Sequence, residues 1–399
     1  MTNVIASNTG LSELLKKIDP ADRVALDTEA DSLHSYKEKL CLIQISVPSA
    51  VTLSDAERSR GTASSALLRD GKPALPTCGG YVAAPTSLGI TVRSVCDFIV
   101  DPLGNLDSEP LRHALQPKEI VLHGADYDLR MLRRGLNFTA VRIFDTVIAA
   151  RLLGIREFSL AALVKRFFGV ELHKHSQKAD WAVRPLPPRM IKYALNDVHY
   201  LLPLAAKLEE DLDRLHRREW FRQSCERAIE VASTSRERSQ DELWRISGAG
   251  ALEPRTGAVL RALWQWREKE AEMADRPPFH ILQNHELLKA AESFTSGNVP
   301  DYRYFSARRR ETFCEVAKSA LQLPQSEWPV MRRRSEIRPT ADIVRRAEQL
   351  RTRRDKSAGQ LELEPPFVAS RGTLEAIAAD PEQATRLLVP WQRELIGIG

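Results

Sequence analysis

Hydrophobic and polar positions follow two regimes along this chain. In the first half, short apolar runs alternate with segments of helical period; past residue 212 only the helical period remains. Residues 11–18 read as a short amphipathic helix that stops at Asp19-Pro20. The run Val24-Ala25-Leu26 leads into Asp27-Thr28-Glu29 and reads as a strand. Residues 40–47, Leu-Cys-Leu-Ile-Gln-Ile-Ser-Val, form a second, partly β-branched strand expected to pair antiparallel with the first. Further strands are expected at 97–100, 119–123 and 141–144, and helices at 111–115, 126–136, 147–153, 159–168 and 189–212. Leu129, Leu132 and Leu136 share one helical face, and Asp145-Thr146 supplies a helix cap. Strands alternating with helices after an opening strand pair predict an α/β layer fold.

Between residues 48 and 93 this patterning is lost. Gly, Ser, Ala, Pro and Thr dominate, with Arg58-Ser59-Arg60-Gly61 and Cys78-Gly79-Gly80 among them. So long a stretch without a period is uncommon inside a compact domain, and it reads as an insertion between two strands. The expected organisation is an α/β domain over 1–215 and a charged helical connector over 216–238. Two small all-helical bundles follow, over 239–312 and 313–399.

A length of 399 residues accommodates about two or three domains. The net charge of +5 suits a polyanionic partner and also many enzymes without one. Arg332, Arg333, Arg334, Arg338, Arg345, Arg346, Arg351, Arg353 and Arg354 crowd one late segment, as either a phosphate-binding surface or a solvated helix face. The five cysteines, Cys41, Cys78, Cys96, Cys225 and Cys314, are scattered and lack metal-ligand spacing. That argues against a disulfide framework or a zinc site and for a reducing compartment. The first ten residues have no secretory pattern, and no apolar run approaches the roughly 20 residues of a membrane span. A cytoplasmic protein, expected to be a monomer, fits these features.

The chemistry gathers on acids. Asp27 and Glu29, two apart on a strand, face the same side. Such a pair is either solvated at an edge or held by a hard cation. Asp128 lies in the first turn of a helix that follows a strand, where an acid also complements the helix dipole. Tyr193 and Asp197 are four apart and share a helix face.

In this order, D-x-E, then an Asp at a strand-to-helix junction, then Y-x-x-x-D, the acids resemble the DEDD superfamily of 3′–5′ exonucleases, in its tyrosine subtype. Three flanking segments resemble the ribonuclease D family: Leu42-Ile43-Gln44-Ile45-Ser46, His123-Gly124-Ala125, and Lys178-Ala179-Asp180-Trp181-Ala182-Val183-Arg184-Pro185-Leu186. The block from Leu252-Glu253-Pro254-Arg255 through Trp264-Gln265-Trp266-Arg267 to Asp275-Arg276-Pro277 is similar to the helicase-and-RNase-D C-terminal (HRDC) domain. The resemblance covers nearly the whole chain, with the last block as a second, divergent HRDC-like domain. It departs from the family at 48–93, where a short turn is usual.

The resemblance implies a ribonuclease H-like mixed sheet flanked by helices. It also implies a metal-dependent exoribonuclease that releases nucleoside 5′-monophosphates from RNA 3′ ends, with precursor tRNA as a natural substrate. Two divalent ions, Mg²⁺ or Mn²⁺, would be held by Asp27 between them, by Glu29 and Asp197 on one side and by Asp128 on the other, partly through water. Tyr193 would orient the attacking water, since a phenol with a pKa near ~10 is too weak a base to deprotonate it. A single-stranded RNA 3′ end would meet Tyr36, Lys174, His175, Gln177, Trp181 and Arg184, with Arg255 and Arg267 on the phosphate backbone. Trp181 and Arg184 are equally open to a packing role, Asp145 reads as a cap, and His123 as structural. The alternatives are a DNA 3′–5′ exonuclease with the same acids, and an inactive RNA-binding scaffold, whose mark would be loss of an acid; none is lost.

Overall fold

The structure is a computed structural model that describes residues 4–49, 95–172, 178–234, 240–331 and 340–398. Most of the expected insertion therefore lies outside the described residues. Six strands form one mixed sheet in the order β1-β4-β3-β2-β5-β6. They are β1 (Val4–Ile5), β2 (Arg23–Ala30), β3 (Leu40–Pro48), β4 (Val95–Val100), β5 (Glu119–Leu122) and β6 (Arg142–Asp145). The two-residue β1 was too short to show a period in the sequence; it pairs parallel with β4.

The central strand β2 has an almost fully apolar first half, Val24, Ala25 and Leu26, each completely buried. On one side β3 runs antiparallel to it and sets Asp27 opposite Gln44 and Glu29 opposite Leu42. On the other side β5 runs parallel, but its pairing ends at Ala25–Val121. The last residues of β2 therefore extend past β5 and leave an open edge, which the site uses.

The helices follow the expected positions closely. Asn8–Ile18, Glu109–Leu115, Asp126–Leu136, Thr146–Leu152 and Leu160–Phe168 match the periodic segments. Their caps explain where two of them start: the Asp145 carboxylate accepts from the Val147 and Ile148 N–H groups, and Ser159 Oγ accepts from Ala162 N–H. The segment expected as one helix over 189–212 is two, Pro188–His199 and Leu201–Arg214. Pro203 is the cause: it has no N–H for the carbonyl of His199, four residues earlier, so the helix breaks at Tyr200.

The chain divides into two compact units, and their bounds correct the expected domains. One comprises Met1–Ala30, Leu40–Thr234 and Ala341–Gly399; the other Asp31–Lys39 and Ser235–Thr340. Residues 216–238 were expected to be a connector. Instead the helix Arg218–Thr234 buries Phe221, Cys225 and Ala232 in the core of the α/β unit, and the Phe221 ring meets Phe144 of β6 at 4.5 Å. The boundary expected at 312/313 cuts the continuous helix Ala307–Leu321. Phe313, Ala317 and Ala320 of that helix pack with Leu263, Trp266 and Phe294 in the second unit.

The residues from Ala341 on do not form a separate bundle. Ala358, Leu363, Val368, Leu374, Ile377 and Trp391 join the core of the α/β unit. Trp391 stacks on Trp220 at 5.2 Å, and its indole N–H donates to Ser224 Oγ at 3.0 Å. Helical period alone does not say which core a helix faces, and here the apolar stripes face two different ones. No helix among the described residues is long and apolar enough to cross a membrane.

The buried Trp391 ties the last residues to the sheet. Trp391→Ala is expected to destabilise the α/β unit by about 3–5 kcal/mol, read by urea unfolding; a change under about 1 kcal/mol would show that these helices are not part of that core.

Candidate active site

The period of two along β2 puts Asp27 and Glu29 on one face. The helix Pro188–His199 crosses that face and brings Asp197 to them. One carboxylate oxygen from each of Asp27, Glu29 and Asp197 lies within 4.8 Å of the others. Oxygen ligands around a Mg²⁺-sized cation stand about 3–4 Å apart when each is about 2.1 Å from it, so this trio fits a hard divalent ion. Tyr193, one turn before Asp197, donates its hydroxyl proton to the Asp197 carboxylate.

Asp128 enters from the other side, at the open edge of β2. The strand β5 has ended, the chain turns at Gly124 with φ +77°, and the helix Asp126–Leu136 begins. Asp128 Oδ1 accepts the Thr28 backbone N–H at 3.0 Å and the Thr28 hydroxyl at 2.6 Å. The carboxylate thus replaces the missing β5 ladder partner. Asp128 acts electrostatically on Asp27, yet it stays outside the trio of oxygens.

Asp145 holds this turn. Its carboxylate accepts the N–H groups of Gly124 at 3.0 Å and Ala125 at 2.9 Å, besides capping the next helix. One buried acid therefore fixes both the end of β6 and the turn that delivers Asp128. His123 is structural, its Nδ1 2.8 Å from Thr146 Oγ1. The cap role was readable from Asp145-Thr146; its bonds to a turn twenty residues earlier, and the Thr28 clamp, carried no local signal.

The electrostatics are those of acids crowded without counter-charge. Burial, then the Asp128, Asp197 and Glu29 carboxylates, push Asp27 well above the usual range. Burial and the neighbouring Asp197 and Asp128 raise Glu29 to about 9. Burial raises Asp128 to about 7 against the opposing Thr28 bonds, and Asp197 to about 7 against the Tyr193 bond. Burial and the same acids raise the Tyr193 phenol, so it stays protonated. A divalent cation is the partner such a cluster lacks.

Several residues expected at RNA are engaged elsewhere. Trp181 is 1% exposed and packs with Met190 and Ala194 under the helix of Asp197, its ring 6.0 Å from Tyr193. The Arg184 guanidinium grips Asp101 at 2.5 and 2.7 Å and donates to the carbonyls of Trp181 and Cys41, so its donors are spent inside the fold. Arg267 is buried, bonded to Leu282 O and Asn284 Oδ1. Tyr36 belongs to the second unit, where its N–H donates to Asp275 and its hydroxyl meets Glu268. Arg354 of the late cluster is likewise buried, donating to Ala369 O. Arg255 remains exposed. Lys174, His175, Gln177 and Arg332–Arg334 lie outside the described residues.

Residues 2–68 and 86–213 match the 3′-5′ exonuclease family, and residues 256–296 match the HRDC domain. Ribonuclease D of Pseudomonas paraeruginosa is 30% identical over 323 residues, which cover 75% of this chain and 82% of that protein. The chain belongs to the ribonuclease D family. Ribonuclease D of Sphingobium indicum is 25% identical and spans 99% of this chain and 92% of its own length. The crystal structure of Escherichia coli RNase D, an exoribonuclease involved in structured RNA processing, has the same fold: TM-score 0.65, 20% identity, 100% of this chain and 96% of that one. As a ribonuclease D, the chain is a hydrolytic, divalent-metal-dependent 3′–5′ exoribonuclease, and its sheet is the ribonuclease H-like one expected.

The raised carboxyl pKa values make a pH prediction. Between the unfolded value near 4.5 and the folded value near 9 for Glu29, the native state holds protons that the unfolded chain has lost. Unfolding free energy therefore falls as pH rises through that window. Chelator-treated protein should melt at progressively lower temperature from pH 5 to 9, and Mn²⁺ should recover most of the loss. A pH-independent melting temperature without metal would contradict the crowding.

Proposed function

We propose that this ribonuclease D trims single-stranded 3′ tails of structured RNA, precursor tRNA among them, with two divalent ions, Mg²⁺ or Mn²⁺, at the carboxylate cluster. The observation that carries this reading is the trio of carboxylate oxygens within 4.8 Å, raised in pKa and without a basic partner among their largest influences.

In this assignment Asp27, Glu29 and Asp197 would hold one ion, and Asp27 with Asp128 would hold the other. Bound there, such ions lower the pKa of the attacking water and neutralise the departing 3′ oxygen. The remaining work belongs to side chains. Because the Tyr193 hydroxyl keeps its proton and points it at Asp197, the phenol oxygen is left to accept a hydrogen bond from the attacking water and so aim it. Thr28 and Asp145 keep Asp128 in place from behind the strand. Arg184 and Trp181, bound into the fold beneath the helix of Asp197, keep Tyr193 and Asp197 at their height above β2. Arg255, exposed at the start of the helix Pro254–Met273, contributes a salt-sensitive phosphate contact.

A 5′-labelled stem-loop RNA with a 3′ tail, and its DNA counterpart, test this in Mg²⁺, in Mn²⁺ and in chelator. RNA should shorten from the 3′ end only when metal is present. Asp27→Asn and Asp197→Asn should each lower turnover about 10³-fold or more, roughly 4 kcal/mol of barrier, while native gels still show RNA binding; near-parental activity in either would remove the metal assignment. Tyr193→Phe should cost about a hundredfold in kcat with KM nearly unchanged, and parental turnover would leave Tyr193 as packing only.

A further inference from the structure

A buried amide faces Asp27 from the neighbouring strand. Gln44 is the cross-strand partner of Asp27, so both side chains leave the sheet on the same face. It is fully buried, and neither its Nε2 nor its Oε1 has a hydrogen-bond partner among the described residues. An unpaired buried amide is costly, and an apolar side chain of the same length would avoid the cost.

Two further unpaired atoms continue the row. Ser46, two residues along β3, is fully buried, and its Oγ too has no partner among the described residues. Asp97, the partner of Ser46 on β4, has Oδ1 buried and unpaired among the described residues. The other oxygen of Asp97 lies 2.6 Å from His199 Nδ1, at the end of the helix that carries Asp197. A line of polar groups thus runs under that helix from Asp27 to His199.

We propose that Gln44 is a positioning residue for Asp27, building on the metal-ligand role assigned to that acid above. With the cation bound, its amide N–H, unpaired in this structure, would donate to the Asp27 carboxylate and hold it turned toward Glu29 and Asp197, while its Oε1 would accept the Ser46 hydroxyl proton. The chemistry suits the position. A lysine or arginine opposite Asp27 would satisfy the carboxylate but put a positive charge where the cation binds. A hydrocarbon would leave the carboxylate free to rotate. A neutral donor orients without competing.

The test is Mn²⁺ binding by the full chain, measured by titration calorimetry, with thermal melting in chelator alongside. Gln44→Met is expected to weaken Mn²⁺ about tenfold or more while the chelated protein melts at the same or a higher temperature, because an unpaired amide has gone. A merely structural glutamine would not separate the two readouts in this way. Ser46→Ala, which removes the hydroxyl that orients the amide, should shift Mn²⁺ binding in the same direction by less, and it decides the matter if Gln44→Met does not fold. Binding within twofold of the parent in the folded variant overturns the proposal. Asp27→Asn is the control: if it too binds Mn²⁺ like the parent, the ligand assignment of Asp27 has failed, whereas if it loses Mn²⁺ while Gln44→Met keeps it, only the role of Gln44 has.

Discussion

The α/β unit is arranged around a repulsion. Asp27, Glu29 and Asp197 converge at the end of one strand, Asp128 stands beside Asp27, and burial raises the pKa of every one of these carboxyl groups, with the neighbouring acids adding to it at Asp27 and Glu29. Left alone, acids this close would spread apart or keep their protons. They stay together because the backbone does not let them move. Asp27 and Glu29 sit mid-sheet, with β3 paired along the whole stretch. Asp197 rides a helix fastened by Met190 and Ala194 in the core below and by His199 on Asp97 at its end. Asp128 is tied to Thr28, and its turn is tied to Asp145. Stability is lost at the cluster and regained around it, a pattern expected where a site is pre-organised for a cation.

Much of this was legible in the sequence because it follows local periods. The D-x-E spacing on a strand dictates a shared face, and Y-x-x-x-D on a helix dictates another. The helix expected at 126–136 has those very bounds. What escaped depends on partners far along the chain. Arg184 was equally open to RNA contact and to packing, because Asp101, its counter-ion, is 83 positions away. Trp181 was equally open to stacking and to packing, and it closes the floor under the helix of Asp197. Arg267 was expected on the RNA backbone, but it is buried and donates to Leu282 O and Asn284 Oδ1 of its own unit. The break at Tyr200 was visible in principle through Pro203, which leaves the carbonyl of His199, four residues upstream, without its helical donor.

The domain layout shows the same limit more sharply. Helical period identifies an apolar stripe and says nothing about which core receives it. The helix Ala307–Leu321 gives its stripe to the HRDC-containing unit, and the helices after Ala341 give theirs to the nuclease. A boundary drawn by counting helices therefore fell inside one.

That last arrangement has a consequence for synthesis. The nuclease unit is discontinuous: its sheet and acids are complete by residue 199, but part of its core comes from beyond residue 340. A ribosome-bound chain that has emerged through its HRDC segment still leaves Trp220 without the indole that stacks on it. Domains of a growing chain fold as units once their sequence is available. Here the nuclease core stays unfinished until residues beyond 340 have been made, so an RNA-degrading activity matures only after the HRDC segment has been synthesised.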